Sequence, residues 1–170
     1  SPDGRFGYEM AAGALDARAQ GRWEEKDGRA CLTTEPRPVP AELKPVPAPR
    51  NQTATVRVTW ADGQTDTGKG VPGVQFMIGF DSGPMTDGYT QEDGWTLPPD
   101  EKRTPRWIVM LEPIYRTALA RTPFTGRRFH ALLVPHDMGV VDFAGACLEA
   151  QGDRFVLRRA EGEMRFRKAD

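Results

Sequence analysis

No apolar run in this chain travels far before a glycine or a proline stops it. Eighteen glycines and 15 prolines punctuate the 170 residues. Both residue types weaken helix interiors and mark the ends of strands, so this spacing favours an all-β fold. The run Val74-Gln75-Phe76-Met77-Ile78-Gly79-Phe80 shows the pattern at its clearest. Side chains alternate across a strand, which puts Val74, Phe76, Ile78 and Phe80 on one face. Asp81-Ser82-Gly83-Pro84 ends the run with turn residues, and a second extended piece, Met85 to Thr90, follows. Asp93-Gly94 makes the next tight turn before Trp95 resumes an extended course.

The two ends of the chain share one style. Phe6, Tyr8 and Met10 alternate, and the Ala-rich stretch that follows keeps no helical apolar stripe, so it reads as a bend and a second strand reaching Trp23. Glu24-Glu25-Lys26-Asp27-Gly28-Arg29 is a charged hairpin turn, returned by Ala30-Cys31-Leu32-Thr33-Thr34. At the other end Gly145-Ala146-Cys147-Leu148 leads through Gly152-Asp153 to Arg154-Phe155-Val156-Leu157, then through Ala160-Glu161-Gly162-Glu163 to Met164-Arg165-Phe166. Short strands joined by glycine-containing charged turns make a β-meander. The opening Ser1-Pro2-Asp3-Gly4 reads as a turn into a strand, and an upstream strand or leader is expected to have been removed or left out.

Between these ends the style changes. Six prolines, at positions 36, 38, 40, 45, 47 and 49, make a stiff, donor-poor segment suited to a linker or a sheet-edge crossing. Val56, Val58 and Trp60 then alternate with Thr55, Arg57 and Thr59. Trp107-Ile108-Val109-Met110-Leu111 reads as a strand buried on both faces. Residues 112–128 read as irregular, and Phe129 to Val134 as another core strand. The expected organisation is a barrel-like or sandwich sheet formed by both chain ends, residues 1–35 and 128–170. A Pro-rich crossing at 36–50 leads to an immunoglobulin-like β-sandwich segment at 51–127.

Two resemblances bear on this. The phrase Gly70-Val71-Pro72-Gly73-Val74-Gln75-Phe76, a strand and a glycine turn, then Gly88-Tyr89-Thr90-Gln91-Glu92-Asp93-Gly94-Trp95, is similar to transthyretin-like and carboxypeptidase-regulatory-like β-sandwich modules. That resemblance implies an immunoglobulin-like sandwich and no active site. The phrases P-D-G-R-F-x-Y, G-A-L-D-A-x-A-x-G-R-W, G-Y-T-Q-E-D-G-W-T-L-P-P and V-P-H-D-M-G-V-V-D-F resemble uncharacterised exported β-rich proteins of Gram-negative bacteria. They cover most of the chain and imply a periplasmic or secreted location. The D-G-x-F and G-x-W phrasing is also similar to lipocalin-like small barrels.

The charge balance, 23 Lys and Arg against 24 Asp and Glu, gives no support to nucleic-acid binding, which needs a clustered basic surface. No apolar run approaches the length of a membrane span. Cys31 and Cys147 have two readings, buried core residues or a disulfide that pins the chain ends together. Each stands in an Ala-Cys-Leu phrase, so their strands are candidate neighbours if the ends share a sheet. Zinc would need a C-x-x-C pair or a nearby histidine.

Catalytic signatures are scarce. There is no G-x-S-x-G elbow and no glycine-rich phosphate loop in a strand–loop–helix setting. Paired acids in turns, such as Glu92-Asp93, read as turn chemistry. A metal site would draw on His136 and Asp137 with Asp142 as the third ligand. Trp60, Tyr89, Trp95 and Trp107 cluster in the middle segment, where an aromatic platform for a glycan or a peptide is the best functional reading. The expected function is therefore an exported, non-catalytic binding or structural β-protein with a protein or glycan partner in the envelope and no cofactor. The alternative is a hydrolase or metal-dependent enzyme using loop Asp and His residues.

Overall fold

A computed structural model describes residues 3–159 and 162–167 of the chain. The expected opening turn is therefore described only from Asp3, where the Asp3 carboxylate accepts the Arg5 N–H at 3.1 Å. Ala160 and Glu161 of the last expected turn lie outside the described residues. The described chain is all-β, and it divides into two compact units, residues 1–38 with 139–170 and residues 39–138.

The first unit is a six-stranded antiparallel sheet made from both chain ends, and it curls into a half-barrel. Its strands are β1 (Arg5–Ala12), β2 (Leu15–Lys26), β3 (Arg29–Thr34), β12 (Ala146–Gln151), β13 (Arg154–Arg159) and β14 (Gly162–Arg167), in that spatial order. The hairpin from β2 to β3 turns at Asp27-Gly28, where φ is 51° and 71°. Two consecutive positive φ values match the right-handed twist of the flanking strands, and Asp-Gly meets that need at little steric cost. One face buries Ala19, Leu32 and Leu157 around Phe143, with Phe6, Tyr8, Trp23 and Phe166 packed against them. Phe143 is 1% exposed and meets Tyr8 and Phe6 edge-on at centroid distances of 5.1 and 5.7 Å. It is held there by its own N–H, which donates to Thr34 Oγ1 at 3.0 Å, while that hydroxyl donates to the Val141 carbonyl.

The joint between the two ends is the pairing of β3 with β12, in which Cys31 stands directly opposite Cys147. The two are joined by a disulfide with Cα atoms 3.9 Å apart. That separation is tighter than the about 4.4–6.8 Å usual for a bridge and than the about 4.5 Å of the closer kind of directly opposed antiparallel pair.

The second unit holds two four-stranded sheets. One is ordered β10 (Thr117–Pro123), β9 (Pro105–Glu112), β7 (Gln75–Phe80), β8 (Thr86–Tyr89). The other is ordered β4 (Glu42–Val46), β11 (Phe129–Val134), β5 (Val56–Asp62), β6 (Thr65–Gly70). Both feed one core: Phe76, Ile78, Ile108 and Met110 from the first meet Val56, Val58, Ala131 and Leu133 from the second.

Four expectations change. The strand at 129–134, expected with the chain ends, lies in the inserted unit between β4 and β5. All six of its residues are buried, as a central strand requires, and it runs parallel to β5. The Pro-rich segment is not a plain crossing: residues 42–46 form β4, an edge strand that tolerates Pro45 because one side of an edge needs no N–H donor. The stretch 112–128 is not irregular, since β10 pairs with β9 through a register shift between Leu119 and Thr122. Finally, β9 is buried on one face only, with Ile108 and Met110 inside and Leu111 37% exposed.

Candidate functional site

That last difference creates the most distinctive surface of the inserted unit. On β7 the core-facing Phe76 and Ile78 alternate with Gln75 and Met77, which face outward. Register then sets their neighbours. Gln75 lies between Leu111 and Tyr89, and Met77 between Val109 and Asp87. The result is an open groove of about 820 Å³ with Met77, Val109, Leu111 and Tyr89 on its floor, Gln75 between Leu111 and Tyr89, and Asp87 and Gln91 also in its lining. Met77 and Leu111 are each 37% exposed and Tyr89 is 59% exposed, so the floor faces water. Trp95 is also in the lining, fixed by two backbone hydrogen bonds with Val56 at 2.8 and 3.0 Å and by edge contact with Phe76 at 5.0 Å.

Of the four aromatic residues expected to form a platform, Tyr89 and Trp95 line this groove. Trp107 does not. Its ring lies so close to Gly79 that a Cβ there would fall 2.0 Å from Trp107 Cε2, and the Arg121 guanidinium stacks on it at 4.3 Å. Trp60 packs against the core instead. Sequence reasoning missed Met77, Val109 and Leu111. Their signal was present in the odd-numbered positions of two strands whose even-numbered positions are core.

The expected metal ligands have separate engagements. In the second unit, the Asp137 carboxylate accepts the Val39 N–H at 2.8 Å, and His136 Nε2 lies 3.7 Å from Glu42. In the first unit, Asp142 accepts the Ala144 N–H at 3.0 Å and pairs with Arg37 at 3.4 Å. Among the described residues no three His, Cys, Asp or Glu side chains converge on a common point.

The other histidine sits in a polar chain that is buried at His130 and Thr59 and reaches the surface at Asp66. His130, 2% exposed, places Nε2 2.8 Å from Thr59 Oγ1 and 3.5 Å from Asp66. Burial raises the Asp66 carboxyl, but hydrogen bonds from Thr59 and the Gly68 N–H, with His130 and Arg57 nearby, outweigh it and hold the group below its ordinary value. An ionised carboxylate only accepts, so the single Thr59 proton goes to Asp66 and Thr59 accepts from His130 Nε2–H. The remaining ring nitrogen, Nδ1, is buried without a partner. Burial is also the main reason the His130 pKa is lowered, with Arg57 adding to it and Asp66 opposing.

A lowered folded-state pKa means the native state refuses a proton that the unfolded chain accepts. His130 therefore contributes stability that is complete above its ordinary value of 6.5 and is lost as pH falls through the folded-state value. Asp66 adds a second loss, setting in below its ordinary 3.8. Urea midpoints measured across this range should decline below pH 6.5, and His130→Gln should flatten that first decline. An unchanged slope in the variant would remove His130 as its source.

Compared with known proteins, the chain matches no family model, no curated protein and no solved structure.

Proposed function

We propose that this chain is an exported β-protein, acting in the periplasm or outside the cell, that binds an extended segment of a protein partner and has no catalytic role. The observation that carries the reading is the open groove whose floor exposes Met77, Val109, Leu111 and Tyr89 on the outer face of a four-stranded sheet. Its border is β8, a four-residue edge strand that pairs only with β7 among the described residues. An edge strand offers unpaired N–H and C=O groups, and an added strand gains main-chain hydrogen bonds there while alternate side chains find pockets. Methionine adapts to varied apolar side chains. Gln75, set among the floor residues, and Asp87 and Gln91 beside them supply polar partners.

Export is supported by the Cys31–Cys147 bridge, since disulfides persist in oxidising compartments and are rare in reducing ones. The resemblance to exported Gram-negative proteins points the same way. The enzyme alternative has less behind it: His130 is buried, and the remaining Asp and His candidates are engaged separately.

Selection of displayed random peptides on the intact, oxidised protein tests the reading. Peptides with alternating apolar residues should be enriched, and Met77→Asp should weaken their binding by about tenfold or more, as expected when a charge is buried unpaired. Met77 is partly exposed, so the variant should keep its fold. No enrichment, or equal binding by the variant, would overturn the proposal. So would a glycan-array signal lost in Met77→Asp without any peptide binding, which would make the groove a sugar site.

A further inference from the structure

A second hollow of the inserted unit has a different chemistry. It measures about 590 Å³ and lies between the Pro-rich stretch 45–50 and the segment 123–130. Its lining includes Arg50, Arg127, Arg128 and Thr125, and no carboxylate. The side chains of Arg50 and Arg127 have no ion-pair partner among the described residues. In a chain whose net charge is −1, three guanidiniums around one hollow are a local excess of positive charge.

The geometry points to a binding site for an oxyanion of the phosphate type, held by Arg50, Arg127 and Arg128. Arg128 carries the argument furthest, because it is already positioned. Its Nη1 donates to the Arg50 carbonyl at 2.9 Å and to the Gln52 carbonyl at 2.6 Å. Two bonds to backbone fix the guanidinium plane and leave its other N–H groups free for a ligand. Gln52 is itself locked, its Nε2 donating to the carbonyls of Ala54 at 2.9 Å and Phe129 at 3.2 Å. A pre-set arginine loses less freedom on binding, and its fork suits the paired oxygens of phosphate. Pro45, Pro47 and Pro49 stiffen the opposite rim and bring no N–H of their own. His130 contributes to the wall, and Asp66, 3.5 Å from its Nε2, is not part of the lining.

The phosphate group has two sources, a soluble anion or a lipid headgroup, and the experiment separates them. Calorimetric titration of the oxidised full chain with inorganic phosphate and pyrophosphate is run beside co-sedimentation with vesicles. One vesicle is phosphatidylcholine alone and the other contains phosphatidylglycerol. Arg50→Gln with Arg127→Gln removes two cations whose side chains hold nothing in place, so the thermal midpoint should not move. The expected result is saturable binding in at least one arm, weakened about tenfold or more in the double variant, as charge-assisted hydrogen bonds are lost. Binding of soluble anion alone identifies a free ligand; binding to the anionic vesicle as well identifies a headgroup. Absence of binding in both arms, or binding that the double variant retains, would overturn the inference. The Met77→Asp variant should bind the anion normally, which keeps this outcome separate from that of the groove.

Discussion

Reduction of the Cys31–Cys147 bridge should cost this protein more stability than any other single covalent change. The two residues are 116 positions apart, and on the chain-entropy model closing a loop of that size stabilises the fold by up to about 5 kcal/mol. The full effect applies only if everything inside the loop unfolds. Most of what lies inside is the second unit, whose ends are already held together: Asp137 N–H donates to the Val39 carbonyl at 3.1 Å, and Val39 N–H returns to the Asp137 carboxylate. If that unit stays folded, the free chain closed by the bridge is only about 15 residues, and the stabilisation falls to about 3 kcal/mol. Urea unfolding with and without reductant, and of Cys31→Ser with Cys147→Ser, distinguishes these regimes. A loss near the smaller figure confined to the sheet of the chain ends means that the units unfold separately. A loss below about 1 kcal/mol would contradict the role assigned to the bridge.

Leu133→Ala should be the most damaging substitution in the inserted unit. Leu133 is fully buried in β11, opposite Leu43 on one side and Trp60 on the other. Removing a buried leucine side chain costs about 2–5 kcal/mol, depending on how far the cavity collapses. Leu111→Ala, on the exposed groove floor, should stay within about 1 kcal/mol of the parent. Hydrogen exchange locates the damage. Amides of β4, β5 and β11 should lose protection in Leu133→Ala while those of β1 to β3 keep theirs. The reverse would place β11 with the chain ends after all.

These two predictions rest on features that differed in how readily the sequence disclosed them. The hairpin at Asp27-Gly28 was legible because a two-residue turn is a local decision, set by which residues accept positive φ. The inward set on β7 was legible for the same reason, since alternation is a property of one strand. The partnership of Cys31 with Cys147 was only one of two readings, since a matching phrase at each end made their strands candidate neighbours but suited two separate core cysteines equally; the shared sheet decides it. Strand β11 shows where such reading ends. Its apolar run announced burial, but burial does not say in which sheet, and its parallel partner β5 lies more than 70 residues earlier. Strand β10, Thr-Ala-Leu-Ala-Arg-Thr-Pro, carries little apolar contrast of its own and owes its extended form to β9 beside it.

The groove was half-legible. Tyr89 and Trp95 stood out as aromatic residues, and Met77 fell on the face of β7 opposite its inward set, whereas Val109 and Leu111 read as core because their strand is apolar throughout. What exposes them is the position of their sheet in the unit: one face meets the shared core and the other faces solvent. Composition alone does not report that asymmetry. The arginine hollow was not legible at all, since Arg50 and Arg127 come together only when the edge strand β4 and the approach to β11 are paired.

The claim on which the rest depends is that both ends of the chain build one sheet, closed by a bridge between direct cross-strand partners. Proteolysis and mass mapping of the unreduced, denatured protein, with free thiols counted alongside, tests it most directly. No free thiol is expected, and one linked peptide pair should contain Cys31 and Cys147 from a single chain. Two free thiols, or a bridge between separate chains, would contradict it.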